Sequence, residues 1–455
     1  MIVLKQKQRN IYFVLPQYET GWKVSLAGVA APTGPTFLYS FAKSINFGQY
    51  GGGRCIDLAI HNEENLLSEI RVGDLVCITA IVSNYLNAIS FAKKAKEHGA
   101  TVAMGGPWVS VRAKQIHLHH PEIDYVVVGE GEAPLRDILL DQAEKGILQR
   151  QPLPLTEIPS LNFSGWAKSD LETYYKDYIT MLQSGKYGPA PERIPAYVFY
   201  QSSRGCIQQP RCKFCGSRLG NQLVMRTAKQ FYTDVEKIIQ QVSWLNSKIH
   251  IFDCSDSFAS CLRRFGGDFY RFSPDVTFTV YARVDEITPA NAWALREVGV
   301  TKVSLGIESG SSKALAEMGK KTTIEQNLFA LKLLKDVGIS VYVNLMYGLP
   351  QETPQDLERT VDHSIELSEV GDIYRVAGRI MTPLPNAVWF FDLLKARPDL
   401  RTDDDWLDLP KLQAAWLESM AKVTFEDIQR VHSRLVSWAK NKEISLSSET
   451  PRGIA

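Results

Sequence analysis

Residues 74–108 read DLVCITAIVSNYLNAISFAKKAKEHGATVAMGGPW. Two short apolar runs, DLVCITAIV at 74–82 and TVAMGG at 101–106, flank a stretch in which Ala88, Phe91, Ala92 and Ala95 recur at core-facing helical spacing. The apolar runs are nearly continuous, as expected of strands covered on both faces of a parallel sheet. IYFVL (11–15), CIDLAI (55–60) and DYVVVGEG (124–131) repeat the pattern. Strand and helix alternate, so residues 1–145 are expected to form a doubly wound α/β domain with its ligand crevice at the carboxyl ends of the strands.

Those ends carry PQYETG (16–21), SNY (83–85), GGPW (105–108) and GEGE (129–132). The candidate ligand-facing residues are therefore Gln17, Ser83, Asn84, Tyr85, Gly105, Gly106, Pro107, Trp108, Gly129 and Glu130. The glycines either turn the chain or let backbone approach a ligand. Tyr85 and Trp108 either pack on that ligand or fill the core.

Residues 146–195 are rich in Pro, Gly and Ser and read as a connector. A second series follows, with strands expected in 196–203, 249–258, 276–285, 300–310, 339–350 and 373–383 and helices between most of them. Six strands are fewer than the eight of a closed barrel. Residues 196–385 are thus expected to form a partial (β/α)6 barrel, open on one side for a bulky substrate or a second domain. Residues 386–455 read as helical, ending in a frayed SLSSETPRGIA.

Composition narrows the function. Fifty-one basic and fifty acidic residues give a net charge of +1, so no global field attracts nucleic acid or a membrane surface. MIVLKQKQRN is not followed by the apolar segment of a secretory signal, and no apolar run reaches the ~18 residues of a membrane span. Seven cysteines are sparse and odd in number, unlike a secreted disulfide scaffold. The expectation is a cytoplasmic protein whose clustered thiols bind metal.

That cluster is SRGCIQQPRCKFCGS (203–217), where Cys206, Cys212 and Cys215 fall on a loop after the first strand of the second series. A structural zinc site takes four ligands, and Cys254 or Cys261 could supply the fourth. An iron–sulfur cluster is held by thiolates and can leave one iron for an outside ligand. The C-x2-C pair alone decides nothing.

The context does. SRGC and CKFCGSR after a strand, ARVD (282–285), VSLGIESG (303–310) and YGLPQET (347–353) resemble, in order and separation, the radical S-adenosylmethionine (radical SAM) enzymes. Upstream, residues 74–108 and HPEIDYVVVGEGEAPLRDIL (120–139) resemble the cobalamin-binding domain joined to one branch of that family. The resemblance spans roughly residues 10–385. It departs in one place: the family's usual C-x3-C-x2-C is here C-x5-C-x2-C, with Pro210 in the longer spacer. A loop tolerates such an insertion when its anchor points are fixed.

The resemblance implies three cofactors. Cys206, Cys212 and Cys215 would hold a 4Fe–4S cluster whose open iron chelates SAM, which is then cleaved to a 5′-deoxyadenosyl radical. Phe214 and Gly348 stand where the family meets adenine. Arg283, Ser304 and Glu308 lie in the motifs that meet ribose and carboxylate, and Asp253, Ser255 and Asp256 are candidates for the SAM amino group. Glu308 and Arg283 could instead form structural ion pairs, and Phe214 could be core. Cobalamin is implied in the first domain without a protein histidine below cobalt, since D-x-H-x-x-G is absent and IHLHH (116–120) reads as a solvent-facing helix. The implied activity is cobalamin-dependent radical methylation of a small molecule or peptide, often a natural-product intermediate, with a flavodoxin- or ferredoxin-type reductant. The alternatives are another radical SAM reaction (rearrangement, ring contraction or aminocarboxypropyl transfer) or a zinc-stabilised binding protein.

Overall fold

Every strand pairing in the two large sheets is parallel, as the nearly unbroken apolar runs require. The computed structural model describes residues 9–19, 28–184, 192–216, 223–265 and 270–448. Thr20 and Gly21, part of the connector (185–191), Ser217 and Arg218 after the third clustered cysteine, and the last residues from 449 lie outside the described residues. The chain divides into two units, residues 1–177 with 230–245 and residues 178–229 with 246–455.

The first unit is built on β1 (Asn10–Leu15), β2 (Gly52–Asp57), β3 (Leu75–Thr79), β4 (Thr101–Gly105), β5 (Tyr125–Val128) and β6 (Gly146–Gln149). Their spatial order is β2-β1-β3-β4-β5-β6. The chain leaves β1 toward one edge and returns to β3 on its other side, so the loops after β1 and β3 diverge at a topological switch point. The crossover helix Tyr85–Glu97 buries Ala88, Phe91, Ala92 and Ala95 completely. The stretch read as a connector contributes β6 and the whole helix Lys168–Gln183.

The second unit carries β7 (Ala196–Tyr200), β8 (Ser203–Arg204), β9 (Val224–Met225), β10 (Ile249–Asp253), β11 (Val276–Arg283), β12 (Val300–Glu308), β13 (Ser340–Tyr347), β14 (Ile373–Ile380) and β15 (Ser445–Leu446). Seven of these form one curled half-barrel sheet in the order β15-β14-β13-β12-β11-β10-β7. Six strands fall where the apolar runs put them. The seventh, β15, comes from the segment read as a frayed tail; two polar-flanked residues carry no period, and pairing with Arg375 and Val376 alone makes them a strand. Side chains alternate across the sheet. Val198, Ile251, Val280, Val303 and Val343 are buried on one face. Tyr197, His250, Thr277, Lys302 and Tyr342 alternate with them and remain partly or largely accessible. Helices Leu409–Ser419 and Phe425–Asn441 follow, the second burying Ile428, Val431, His432, Leu435 and Ala439 as one stripe. Among the described residues no helix is long and apolar enough to cross a membrane.

Gly106 shows which strand-end glycine the fold itself demands. Its φ is +120°, and a Cβ there would lie 2.3 Å from the Ala80 carbonyl oxygen. Gly129 also has positive φ, +86°, but a Cβ on it would meet nothing within 4 Å. Gly129→Ala should cost roughly 1–2 kcal/mol from backbone conformation alone, and Gly106→Ala should cost more because the clash adds to it. Urea unfolding midpoints of the two variants check the order.

Candidate active site

The cysteine loop is clamped before any metal chemistry is considered. β8 and β9 form a two-residue antiparallel ladder, Ser203 to Met225 and Arg204 to Val224, that closes the loop's base. The carboxyl end of β10 holds its start. Ser255 Oγ accepts from the Ser203 N–H at 2.8 Å, and Asp253 Oδ1 accepts from Ser255 N–H at 2.9 Å and Ser202 N–H at 3.3 Å. Ser257 Oγ accepts from Ile207 N–H at 3.2 Å. Asp253 is fully buried, its Oδ2 has no partner, and burial raises its carboxyl above the ordinary range. Asp256, two residues beyond Cys254, is exposed.

The longer spacer is anchored too. Gln208, 5% exposed, donates from Nε2 to the Gly319 carbonyl at 3.0 Å and to the Pro210 carbonyl at 3.1 Å. Lys321 Nζ donates to the Gln209 carbonyl at 2.7 Å, and Lys213 N–H to the Met318 carbonyl at 2.9 Å. The inserted residues therefore dock on the turn 318–321.

That turn delivers Lys320 to the site. Lys320 Nζ lies 2.8 Å from Glu308 Oε1, both side chains largely buried. Glu308 takes a left-handed conformation, φ +66°, just after the register of β12 shifts against β13. Non-glycine residues hold this region only where neighbours fix them. Gly306 makes the room: a Cβ there would stand 2.4 Å from Glu308 Oε1 and 2.7 Å from Lys320 Nζ. Arg283 completes the arrangement. It pairs with Asp285 at 2.9 Å, donates to the Lys320 carbonyl at 2.8 Å, and points Nη1 at Cys212 Sγ, 3.8 Å away. Burial pushes the Cys212 thiol up, and Lys320 and Arg283 pull it back toward thiolate. Ser304 is buried two residues before Gly306, its Oγ accepting from Asn344 Nδ2 at 3.0 Å.

The loop after β13 is fixed from two sides. Gly348 has φ +76°, donates its N–H to Glu352 Oε2 at 2.7 Å, and accepts from Trp416 Nε1 at 2.7 Å. Phe214 packs 6.4 Å from Trp389, which lies 5.5 Å from Trp416. An aromatic chain thus joins the cysteine loop to the Gly348 loop.

Among the described residues no three His, Cys, Asp or Glu side chains converge as ligands of one ion. Cys254 and Cys261 do not join the clustered thiols in such a set; Cys261 is buried in the helix Phe258–Leu262. The donor set at the loop is three thiols beside two cations, and thiolates of a cluster each take a different iron rather than meeting at one ion.

In the first unit the switch-point loops are tied to each other. Asn84 donates to the carbonyls of Pro16 and Thr79, both at 3.3 Å, Asn87 donates to the Gln17 carbonyl at 2.9 Å, and Glu19 N–H donates to the Ser83 carbonyl at 2.8 Å. Tyr85 and Trp108 are both buried, rings 5.9 Å apart, and the Tyr85 hydroxyl and Trp108 Nε1 are buried without partners. Gly105 and Gly106 lead into the helix Pro107–His119, whose Pro107 is exposed. Gly129 N–H donates to Ser110 Oγ at 3.0 Å, with Glu130 beside it at intermediate exposure. His117 and His119 are exposed, and His61 lies 3.1 Å from Asp170.

Sequence reasoning missed Lys320 and Glu352. Lys320 sits in the polar run GKKTT and carries no signal of its own. Glu352 is detectable only as an acid four residues after a loop glycine.

Residues 200–363 match the model of the radical SAM superfamily. The half-barrel with its three-thiol loop is therefore a radical SAM domain. An uncharacterized methyltransferase of Pyrococcus horikoshii is 28% identical over 393 residues, covering 83% of this chain and 82% of that protein. The cobalamin-dependent S-adenosylmethionine radical enzyme OxsB, solved with aqua-cobalamin and S-adenosylmethionine bound, matches 96% of this chain and 67% of its own at TM-score 0.68 and 15% identity. The radical S-adenosylmethionine methyltransferase TsrM of Kitasatospora setae, solved with cobalamin and a [4Fe–4S] cluster, matches 87% of this chain and 79% of its own at TM-score 0.65 and 16% identity. The chain shares the fold of both.

Two outcomes test this geometry. Lys320→Met leaves Glu308 without its buried partner and should destabilise the protein by about 3 kcal/mol, with Lys320→Arg recovering part of the loss in the same unfolding assay. Burial raises the Glu352 carboxyl from 4.5 to about 8. A folded-state pKa above the unfolded one contributes stability that is complete below the unfolded value and lost as pH rises through the folded one. Stability should therefore fall between pH 4.5 and 8, and Glu352→Gln should flatten that fall in urea titrations.

Proposed function

We propose that this protein is a cobalamin-dependent radical SAM methyltransferase acting on an unactivated centre of a small molecule or peptide. The observation that carries the reading is the radical SAM half-barrel whose three-thiol loop closes on Arg283, Lys320 and Glu308. When bound, the cofactors supply radical generation from SAM and methyl transfer.

Cys206, Cys212 and Cys215 hold the 4Fe–4S cluster, and the guanidinium of Arg283 beside Cys212 favours its thiolate. Asp253, through its unpartnered buried Oδ2, with Ser255 and Asp256 at the same strand end, is assigned to the SAM amino group. Glu308, held in place by Lys320, accepts from ribose hydroxyls; Ser304 supports that strand through Asn344. Phe214 and the backbone of Gly348 flank the adenine. In the first unit, Gly129 leaves open space at a strand end and the buried Tyr85 hydroxyl and Trp108 Nε1 lack partners, which fits a large polar-rimmed ligand. Gln17, Ser83, Asn84, Gly105, Gly106, Pro107 and Glu130 complete the proposed cobalamin rim. A flavodoxin- or ferredoxin-type protein supplies the electron, in the cytoplasm.

The test is product stoichiometry. Anaerobically reconstituted protein should carry about four irons and four sulfides, lost on changing Cys206, Cys212 or Cys215 to Ala but not on Cys254→Ala, and about one cobalt per chain. Turnover should yield S-adenosylhomocysteine and 5′-deoxyadenosine in about equal amounts, since one SAM donates methyl and another is the radical source. Glu308→Ala should lower both, because the step is sensitive to small displacements of SAM. Zinc in place of iron, 5′-deoxyadenosine without S-adenosylhomocysteine, or 5′-methylthioadenosine as the main product would each overturn methylation as the reaction.

A further inference from the structure

The concave face of the half-barrel carries a group of cations, Lys302, Arg375 and Arg379. Among the described residues, Lys302 on β12 and Arg379 on β14 form no ion pair with an acid. Lys302 Nζ lies 4.7 Å over the Tyr374 ring, and the guanidinium of Arg375 lies 4.8 Å over the Tyr342 ring. Tyr342 and Tyr374 are 6.3 Å apart, and Arg379 Nη2 donates to the Tyr342 hydroxyl at 3.3 Å. Three cations and three tyrosines, counting Tyr281, therefore occupy one continuous patch. His250 adds no charge there; both ring nitrogens contact threonine hydroxyls at 2.8 Å, and burial and Lys302 hold it neutral down to about pH 3. Of the acids around it, Asp256 acts on Tyr281, Glu308 is already paired with Lys320, and Asp372 accepts from Ser340 Oγ at 2.6 Å.

This patch lines accessible space. Tyr281 leaves 41% of its surface exposed although it sits on the inner face of a curled sheet, and Lys302 is likewise exposed. Cation–π contacts stabilise such groups by ~0.5–2 kcal/mol but do not neutralise them. Gathering like charges in a concavity is unfavourable unless an anion completes it. Partial desolvation by the surrounding sheet and the nearby Arg375 push the Lys302 ammonium below its ordinary value, the direction expected of a cation still lacking a counter-charge.

We infer that the substrate is an oxyanion, a carboxylate or phosphate on a planar or aromatic body, held by Lys302 and Arg379 with its body against Tyr281 and Tyr342. The inference rests on the radical SAM reading for the word substrate, but the binding site is testable by itself.

The experiment is a ligand-observed NMR titration of full-length reconstituted protein with benzoate, phenyl phosphate and, as the neutral control, benzyl alcohol. At least one of the two oxyanions should bind once per chain, and the tighter one names the anion class. Benzyl alcohol, Lys302→Met and Arg379→Gln should each weaken binding about tenfold, the worth of one charged hydrogen bond, whereas Lys302→Arg should stay near wild type. Circular dichroism confirms folding, and Arg379→Gln carries the test where Lys302→Met does not fold. The proposal is overturned if neither oxyanion binds wild-type protein, if benzyl alcohol binds equally well, or if the folded variants bind as wild type does. Iron content and SAM cleavage measured on the same samples separate the two failures. Normal cofactor loading without oxyanion binding defeats this inference alone. Oxyanion binding by protein that forms no cluster defeats the radical SAM reading and leaves the anion site standing.

Discussion

The ion pair between Lys320 and Glu308, 2.8 Å long and largely buried, is the constraint on which the rest of the site depends. It holds a glutamate in a left-handed conformation that isolated chains avoid, at the point where β12 loses register with β13. The lysine comes from a turn that also receives Gln208, Lys213 and, through Lys321, Gln209. The strand end and the cysteine loop are thus built on a shared support. Moving either one disturbs the buried charge of the other, which is costly in a dry environment.

The parts that were legible in the sequence are those governed by local pattern. Parallel strands covered on both faces appear as apolar runs, so β1 to β5 and the long strands of the half-barrel could be located with errors of a few residues. The helical spacing of Ala88, Phe91, Ala92 and Ala95 likewise gave its buried face. β15 could not be read, because two residues have no period and exist as a strand only through β14. Lys320 was illegible for a related reason. It lies twelve residues beyond Glu308 in a polar run, and only the tertiary fold brings the two together. Arg283, by contrast, was reached through the ARVD motif of the family resemblance.

The two units spend their strand-end residues differently. In the first, Asn84 is fully buried and occupied in stapling the loops after β1 and β3, so a residue expected to face a ligand builds the crevice itself. Gly106 is needed by the backbone of Ala80, whereas Gly129 faces open space. In the second, the polar groups at the strand ends hold the cysteine loop and leave one oxygen, Asp253 Oδ2, unspent. A buried acceptor without a donor is unfavourable in the folded chain and becomes favourable when a ligand supplies the donor.

The C-x5-C spacer is longer than the motif it resembles, yet it is held in place along its length. Its additional residues are not slack. The β8–β9 ladder fixes where the loop begins and ends, and Gln208 anchors its middle, so the number of residues between Cys206 and Cys212 is free to vary while the aim of the thiols is not. A family definition keyed to cysteine spacing would pass over this chain. One keyed to the anchor geometry, a two-residue ladder at the loop base with an arginine facing the second thiol, would keep it.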